Sequence, residues 1–197
     1  YYLINTKKPP VDDVRVRKAL SYAIDRDKLT RTVLRDTAIP AYSITPPDTL
    51  GYNPPRLFSF DPEQARALLA EAGYPGGVGW PGLEITYNTQ EDHRKIAVAV
   101  QQMWKDELGI DVSITNQEWK VYLNTVSQGE FQVARRGWIG DYVDANNFLD
   151  LFLANGGNNN TGYANAEFDD IILNQAPKAA SREERYQLFY QAETMMM

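Results

Sequence analysis

Apolar positions along the chain fall into two periods. Val16, Ala19, Leu20, Ala23 and Ile24 follow the 3.6-residue repeat of an amphipathic helix, with Asp12 and Asp13 before it as candidate N-caps. Asp25 can cap a second helix running through Leu29, Val33 and Leu34. The clearest local signal is Asp61-Pro62-Glu63: a cap, a proline at the first helical position and an acid facing the dipole. Ala65, Leu68, Leu69 and Ala72 supply that helix's buried face, and Gly73 its stop. A long helix over 92–108 turns Ile96, Val100, Met103, Trp104 and Leu108 inward and ends at Gly109. Strands are predicted at 1–5, 83–88, 110–115 and 131–138, and a helix at 118–127. Three helical stretches follow, at 145–154, 166–175 and from 182 to the end, with a flexible Asn/Gly-rich loop over 155–162.

Residues 37–60 break the pattern. They carry five prolines and one glycine among scattered aromatics, of which Tyr42, Tyr52 and Phe60, with Leu57, want burial. The segment reads as an irregular excursion that packs, not as a linker. Elsewhere helices and strands alternate without repeat, which predicts an α/β layer structure with a sheet flanked by helices.

Composition narrows the function classes. The 197 residues are 43% hydrophobic and include 12 Tyr, 7 Phe and 4 Trp, enough for one sizeable core or two small ones. A net charge of -6 makes nucleic acid a poor partner, because phosphate binding needs a basic face. No apolar run approaches the ~20 residues that cross a bilayer. The absence of cysteine removes disulfides, thiol nucleophiles and thiolate metal sites together. The chain opens at Tyr1-Tyr2 and stops at Met195-Met196-Met197, within an unfinished helix. Both ends are therefore expected to be cut.

His93 is the single histidine, so a catalytic triad would have to use it, and a two-histidine zinc site is not available. A surface histidine in the first turn of a helix is the simpler reading. Asp141, Asp144 and Asp150 invite a metal or paired-carboxylate reading, but they lack the order of a calcium loop, and helix capping by Asp144 accounts for them better. The Asn159-Asn160-Thr161 sequon reads as a chance match in an asparagine-rich loop.

The stretch from Arg135 to Tyr142 is different. Two arginines, a glycine, an indole, a carboxylate and a phenol crowd the exit of a strand, where α/β folds place ligand sites. Alternation sends Arg135 and Arg136 to opposite faces, so one of them points inward and needs an anion. That anion is either a ligand or a structural partner beside a core tryptophan, and the residues alone leave both open.

At this stretch the chain resembles the extracytoplasmic solute-binding proteins, family 5, which serve oligopeptides, dipeptides and nickel. The resemblance is nearest to the oligopeptide binders of enteric and related bacteria. The matching blocks are Lys8-Pro9-Pro10, Asp13-Val14-Arg15-Val16-Arg17, Ala19-Leu20, Asp25-Arg26, Pro40-Ala41-Tyr42 and Thr45-Pro46-Pro47. They continue through Ala65 to Tyr74, Tyr87-Asn88-Thr89 with His93, Asn116-Gln117-Glu118-Trp119, and Arg135 to Tyr142. Their order and spacing cover nearly the whole chain.

The resemblance implies one lobe of a type II periplasmic-binding-protein fold, a mixed sheet flanked by helices, with residues 1–197 forming a single ligand-binding lobe of a larger two-lobed protein. It implies no enzyme and no cofactor. The implied partners are short peptides and the transmembrane subunits of an ABC permease, with the full-length protein a monomer in the periplasm, or a cell-surface lipoprotein in a Gram-positive organism. It places the peptide α-ammonium at Asp141 and the carboxylate end at Arg135 and His93, with Trp138 and Asn88 lining the cleft. Relatives carry a further arginine where Val126 stands, and some have a small residue where Ile139 stands, so peptide length and pocket shape are expected to differ. Alternatives are another solute on the same fold, or a hydrolase or signalling module built on this lobe.

Overall fold

A computed structural model describes residues 1–197, which form two compact units: Tyr1–Pro40 with Phe58–Arg136, and Ala41–Leu57 with Gly137–Met197. In the first unit the elements are β1 (Tyr2–Ile4), α1 (Val14–Tyr22), α2 (Arg26–Lys28), α3 (Pro62–Glu71), β2 (Leu83–Asn88), α4 (Glu91–Leu108), β3 (Val112–Gln117), α5 (Trp119–Ser127) and β4 (Val133–Arg135). The sheet order is β1-β4-β2-β3, with β2 parallel to both neighbours and β1 antiparallel to β4. This is the α/β layering the sequence pattern predicts, with the mixed sheet that the family resemblance implies.

Local chemistry accounts for the helix ends. Asp13 accepts the Arg15 N–H at 2.8 Å, and Asp61 accepts the Gln64 N–H at 3.0 Å ahead of Pro62. Helix α4 starts one residue earlier than the pattern suggests, because Gln90 caps it by accepting the His93 N–H at 2.8 Å. Gly109 ends it at φ 72°, and an added Cβ there would meet the Gly76 carbonyl oxygen at 2.6 Å, so only glycine fits. Val16, Ala19 and Leu20 of α1, Ala65 and Leu69 of α3, and Val100, Trp104 and Leu108 of α4 close over Leu83, Ile85 and Val133. The Trp104 indole N–H, buried with them, donates to the Leu20 carbonyl at 2.8 Å.

Four expectations need correction, the first being the strand at 110–115, which lies at Val112–Gln117, where β2 pairs with it from Leu83 to Asn88. The strand at 131–138 shortens to Val133–Arg135, because β1 offers only three partner residues and the chain turns away after Arg136. Helix α2 does not continue as an α-helix but passes into a single π-turn at Leu29–Val33. Phe60 stays 41% exposed, and Phe58 takes the buried place instead, edge-on to Tyr22 at 5.1 Å between ring centres.

In the second unit, α6 (Asn146–Leu149) and α7 (Ala166–Asp170) are shorter than the pattern suggests, while α8 (Arg182–Met196) runs from 182 as expected. The stretch at 145–154 passes into a 3-10 turn at Asp150–Phe152, and α7 ends in a π-turn at Ile171–Gln175. The 155–162 loop is organised around Asn159, whose amide donates to the carbonyls of Phe152, Leu153 and Tyr163 and whose Oδ1 accepts from Thr161. The excursion does pack: Tyr52 is buried, edge-on to Tyr186 and Phe189 of α8.

Candidate functional site

Asn88, His93 and Arg135 lie in the first unit, at the carboxyl ends of its parallel strands. Asn88 closes β2, and its carbonyl lies 3.3 Å from His93 Nδ1. Its side-chain Oδ1 is buried without a partner, as is Gln117 Oε1 at the matching place on β3. His93 sits in the first turn of α4, half-buried. Burial, and then the charge of Arg135, hold its imidazole below the usual histidine value.

Arg135 ends β4, in register with Tyr2, and its carbonyl accepts the Tyr122 hydroxyl. The side chain is half-buried, and no carboxylate of this chain pairs with it: its charged and titratable surroundings are Tyr122, Tyr2, Tyr1 with its α-ammonium, Arg136 and His93. Desolvation therefore lowers its pKa, and the phenols offset this only in part. The Tyr2 hydroxyl is also buried without a hydrogen-bond partner, and burial raises its pKa. Both readings left open by the sequence, a ligand anion and a structural partner, remain open at Arg135, since no carboxylate of this chain pairs with it.

Trp138 and Asp141 lie in the second unit, on the turn that follows the strand. Both are fixed by one atom. Asn147 Oδ1 accepts the Trp138 indole N–H at 2.8 Å and the Asp141 backbone N–H at 3.1 Å. The Asp141 carboxylate is solvent-exposed and has no ion-pair partner. Asp144 is committed elsewhere: Arg185 grips it through two nitrogens at 2.5 and 3.0 Å, and it accepts the Asn146 N–H at 2.9 Å. Capping alone therefore does not explain Asp144: α6 has Ala145 at its N-cap with no side-chain cap, and the ion pair with Arg185 is the larger commitment. Asp150 has its carboxyl pushed up by partial burial and then by Asp141.

The structure thus groups Asn88, His93 and Arg135 in one unit and Trp138 with Asp141 in the other. Asn147, Tyr2 and Tyr122 escape sequence reasoning. Asn147 leaves one signal, a polar residue between the buried Ala145 and Leu149 of a short helix. Arranged this way, the chain offers a desolvated cation with acceptors beside it and, separately, an unpaired carboxylate beside an indole.

The sequence profile of the bacterial extracellular solute-binding proteins, family 5 Middle, matches residues 1–160. The periplasmic oligopeptide-binding protein OppA of Salmonella typhimurium is 41% identical over 100% of this chain and 37% of its own length. The Escherichia coli murein tripeptide binding protein MppA superposes with a TM-score of 0.92 at 40% identity, over 99% of this chain and 39% of that one. Haemophilus influenzae OppA in complex with RPPGFSPFR gives 0.88 at 38% identity, over 98% and 39%. The chain spans little more than a third of each relative, and its fold is that of one lobe of a periplasmic binding protein, with a mixed sheet flanked by helices. It belongs to the family 5 bacterial extracellular solute-binding proteins.

Proposed function

We propose that residues 1–197 are one ligand-binding lobe of a larger two-lobed protein that captures short peptides outside the cytoplasmic membrane and delivers them to an ABC permease. In this reading it works as a monomer in the periplasm, or as a surface lipoprotein in a Gram-positive cell, and it binds without catalysing a reaction. The observation that carries the reading is Arg135, a half-buried cation whose neighbours are phenols and another arginine. A desolvated guanidinium needs an anion, and a peptide supplies one at its carboxyl end. Asp141 answers the α-ammonium at the other end. Asn88 and Trp138 line the cleft, and relatives named for oligopeptides and murein peptides make peptide the favoured solute.

The direct test is mass spectrometry of material released from the full-length protein after gentle purification. A mixture of short peptides is expected. A single non-peptide solute, or hydrolysis of added peptides, would overturn the reading.

His93 supplies a second test. Its pKa is held below the ordinary value in the free protein, so it is neutral at pH 7. A peptide carboxylate placed beside it raises that pKa, so binding takes up a proton. Affinity for peptides that reach His93 should therefore increase as pH falls through the bound-state pKa, levelling off below the free-state one. Calorimetry in buffers of different ionisation enthalpy should show net proton uptake at pH values between the free-state and bound-state pKa of His93. His93→Gln should flatten the profile; an unchanged profile would remove His93 from the site.

A further inference from the structure

We infer that Asn147 is a positioning residue for ammonium recognition, holding the Trp138-to-Asp141 turn in its binding geometry through a single side-chain oxygen. The inference rests on the peptide reading and adds a residue that sets the ammonium subsite without touching the ligand. Three observations carry it. Asn147 is only 3% exposed, although it belongs to a short helix between apolar residues, where a polar side chain persists only when its bonds are made. Its Oδ1 accepts two N–H groups that are three residues apart in sequence, the Trp138 indole at 2.8 Å and the Asp141 backbone at 3.1 Å. Both lone pairs are thereby used, one on Asp141, proposed to meet the ligand's ammonium, and one on Trp138, proposed to line the cleft.

The third observation is Gly140. A Cβ there would come within 3.3 Å of both Asn147 Oδ1 and the Phe148 ring, so the turn lies directly against Asn147. Ile139, Tyr142 and Val143, 91%, 50% and 70% exposed, give the turn little packing of their own. Without the shared acceptor, little else fixes where the Asp141 carboxylate points.

The test compares Asn147→Leu, Asn147→Ser and Asn147→Asp in the full-length protein. Leucine removes the acceptor at similar volume, serine is too short to reach both donors, and aspartate keeps an oxygen at the same reach. Affinity for a free-amino tripeptide should fall roughly tenfold or more in the leucine and serine variants, while aspartate restores it to within about fivefold. The loss should shrink to little for the N-acetylated tripeptide, because acetylation deletes the interaction that the positioning serves. A purely structural asparagine would lower the melting temperature and leave that difference between free and acetylated peptide intact, which would overturn the proposal.

Two ligand-free readouts separate failure of this inference from failure of the peptide reading. Exchange of the Asp141 amide, and quenching of Trp138 fluorescence against a Trp138→Phe control, should both increase in Asn147→Leu and Asn147→Ser but not in Asn147→Asp. If neither increases, Asn147 does not hold the turn, whatever the protein binds. If both increase but no peptide binds the wild type, the turn is held as described and the ligand assignment fails instead. Should leucine prevent folding, the serine and aspartate pair decides alone.

Discussion

Asp141→Asn in the full-length protein is expected to weaken binding of a free-amino peptide by ~100-fold or more, about 3–5 kcal/mol. The substitution keeps shape and removes charge, leaving an ammonium desolvated without its partner. N-acetylating the peptide should cause a comparable loss in the wild type and little further loss in the mutant, since both changes delete one interaction. The carboxylate is available for this role because nothing in its own unit claims it: Arg185 goes to Asp144, and the Asp141 backbone is tied to Asn147. Magnitude is informative here. An exposed pair contributes only about 0–1 kcal/mol, so the larger loss is expected only if the second lobe closes over the ammonium. If the two losses simply add, Asp141 does not meet the ammonium.

The sequence disclosed the first unit well because its signals are local. Caps at Asp13 and Asp61, the Gly109 stop and the apolar periods of α1, α3 and α4 lie within a few residues of what they determine. The strand exit at Arg135 stood out as a candidate site because two arginines, a tryptophan and an aspartate are out of place in a plain turn. What alternation could not supply was the inventory around Arg135. The phenols of Tyr2 and Tyr122 reach it through sheet register and helix packing, across more than 130 residues in the first case. Register likewise sets where β4 ends, which is why the predicted strand ran three residues too far.

In the second unit the decisive contacts are distant and polar, and so invisible to periodicity. Helix α8 carries apolar residues at Tyr186, Phe189 and Met196, yet its buried residues are Phe189, Ala192 and Glu193. No hydrophobicity pattern predicts a glutamate there, and the donors that permit it come from the excursion, 141 and 148 residues earlier in the chain. The same contact explains why a proline-rich segment without regular structure can bury Tyr52. Its backbone and phenol are satisfied by an acid that the segment itself does not contain.

Glu193→Ala is accordingly expected to destabilise the second unit by about 2–5 kcal/mol. The side chain has no exposed surface; Oε1 accepts the Thr45 N–H at 2.8 Å and Oε2 the Tyr52 hydroxyl at 2.9 Å. Alanine would strand both donors in a dry site and leave a cavity beside Tyr52 and Phe189. Glu193→Gln should behave oppositely. It keeps an acceptor for Thr45, and the Tyr52 hydroxyl can rotate to accept from the new amide. The charge it removes is unfavourable: burial raises the Glu193 pKa above the ordinary glutamate value, and the hydrogen bonds from Thr45 and Tyr52 only partly reverse this. A carboxyl whose folded pKa is raised contributes stability that is fully present below the unfolded pKa, about 4.3, and is lost as pH rises through the folded value. The wild type should therefore lose stability from Glu193 as pH rises from about 4 towards neutrality, while the glutamine variant shows no such loss and equals or exceeds it at pH 7. Hydrogen exchange at Thr45 and across 41–57, followed with pH in the three proteins, reads this directly. Protection in Glu193→Ala equal to the wild type, or a glutamine variant as weak as alanine, would show that the acid does not hold the excursion in place.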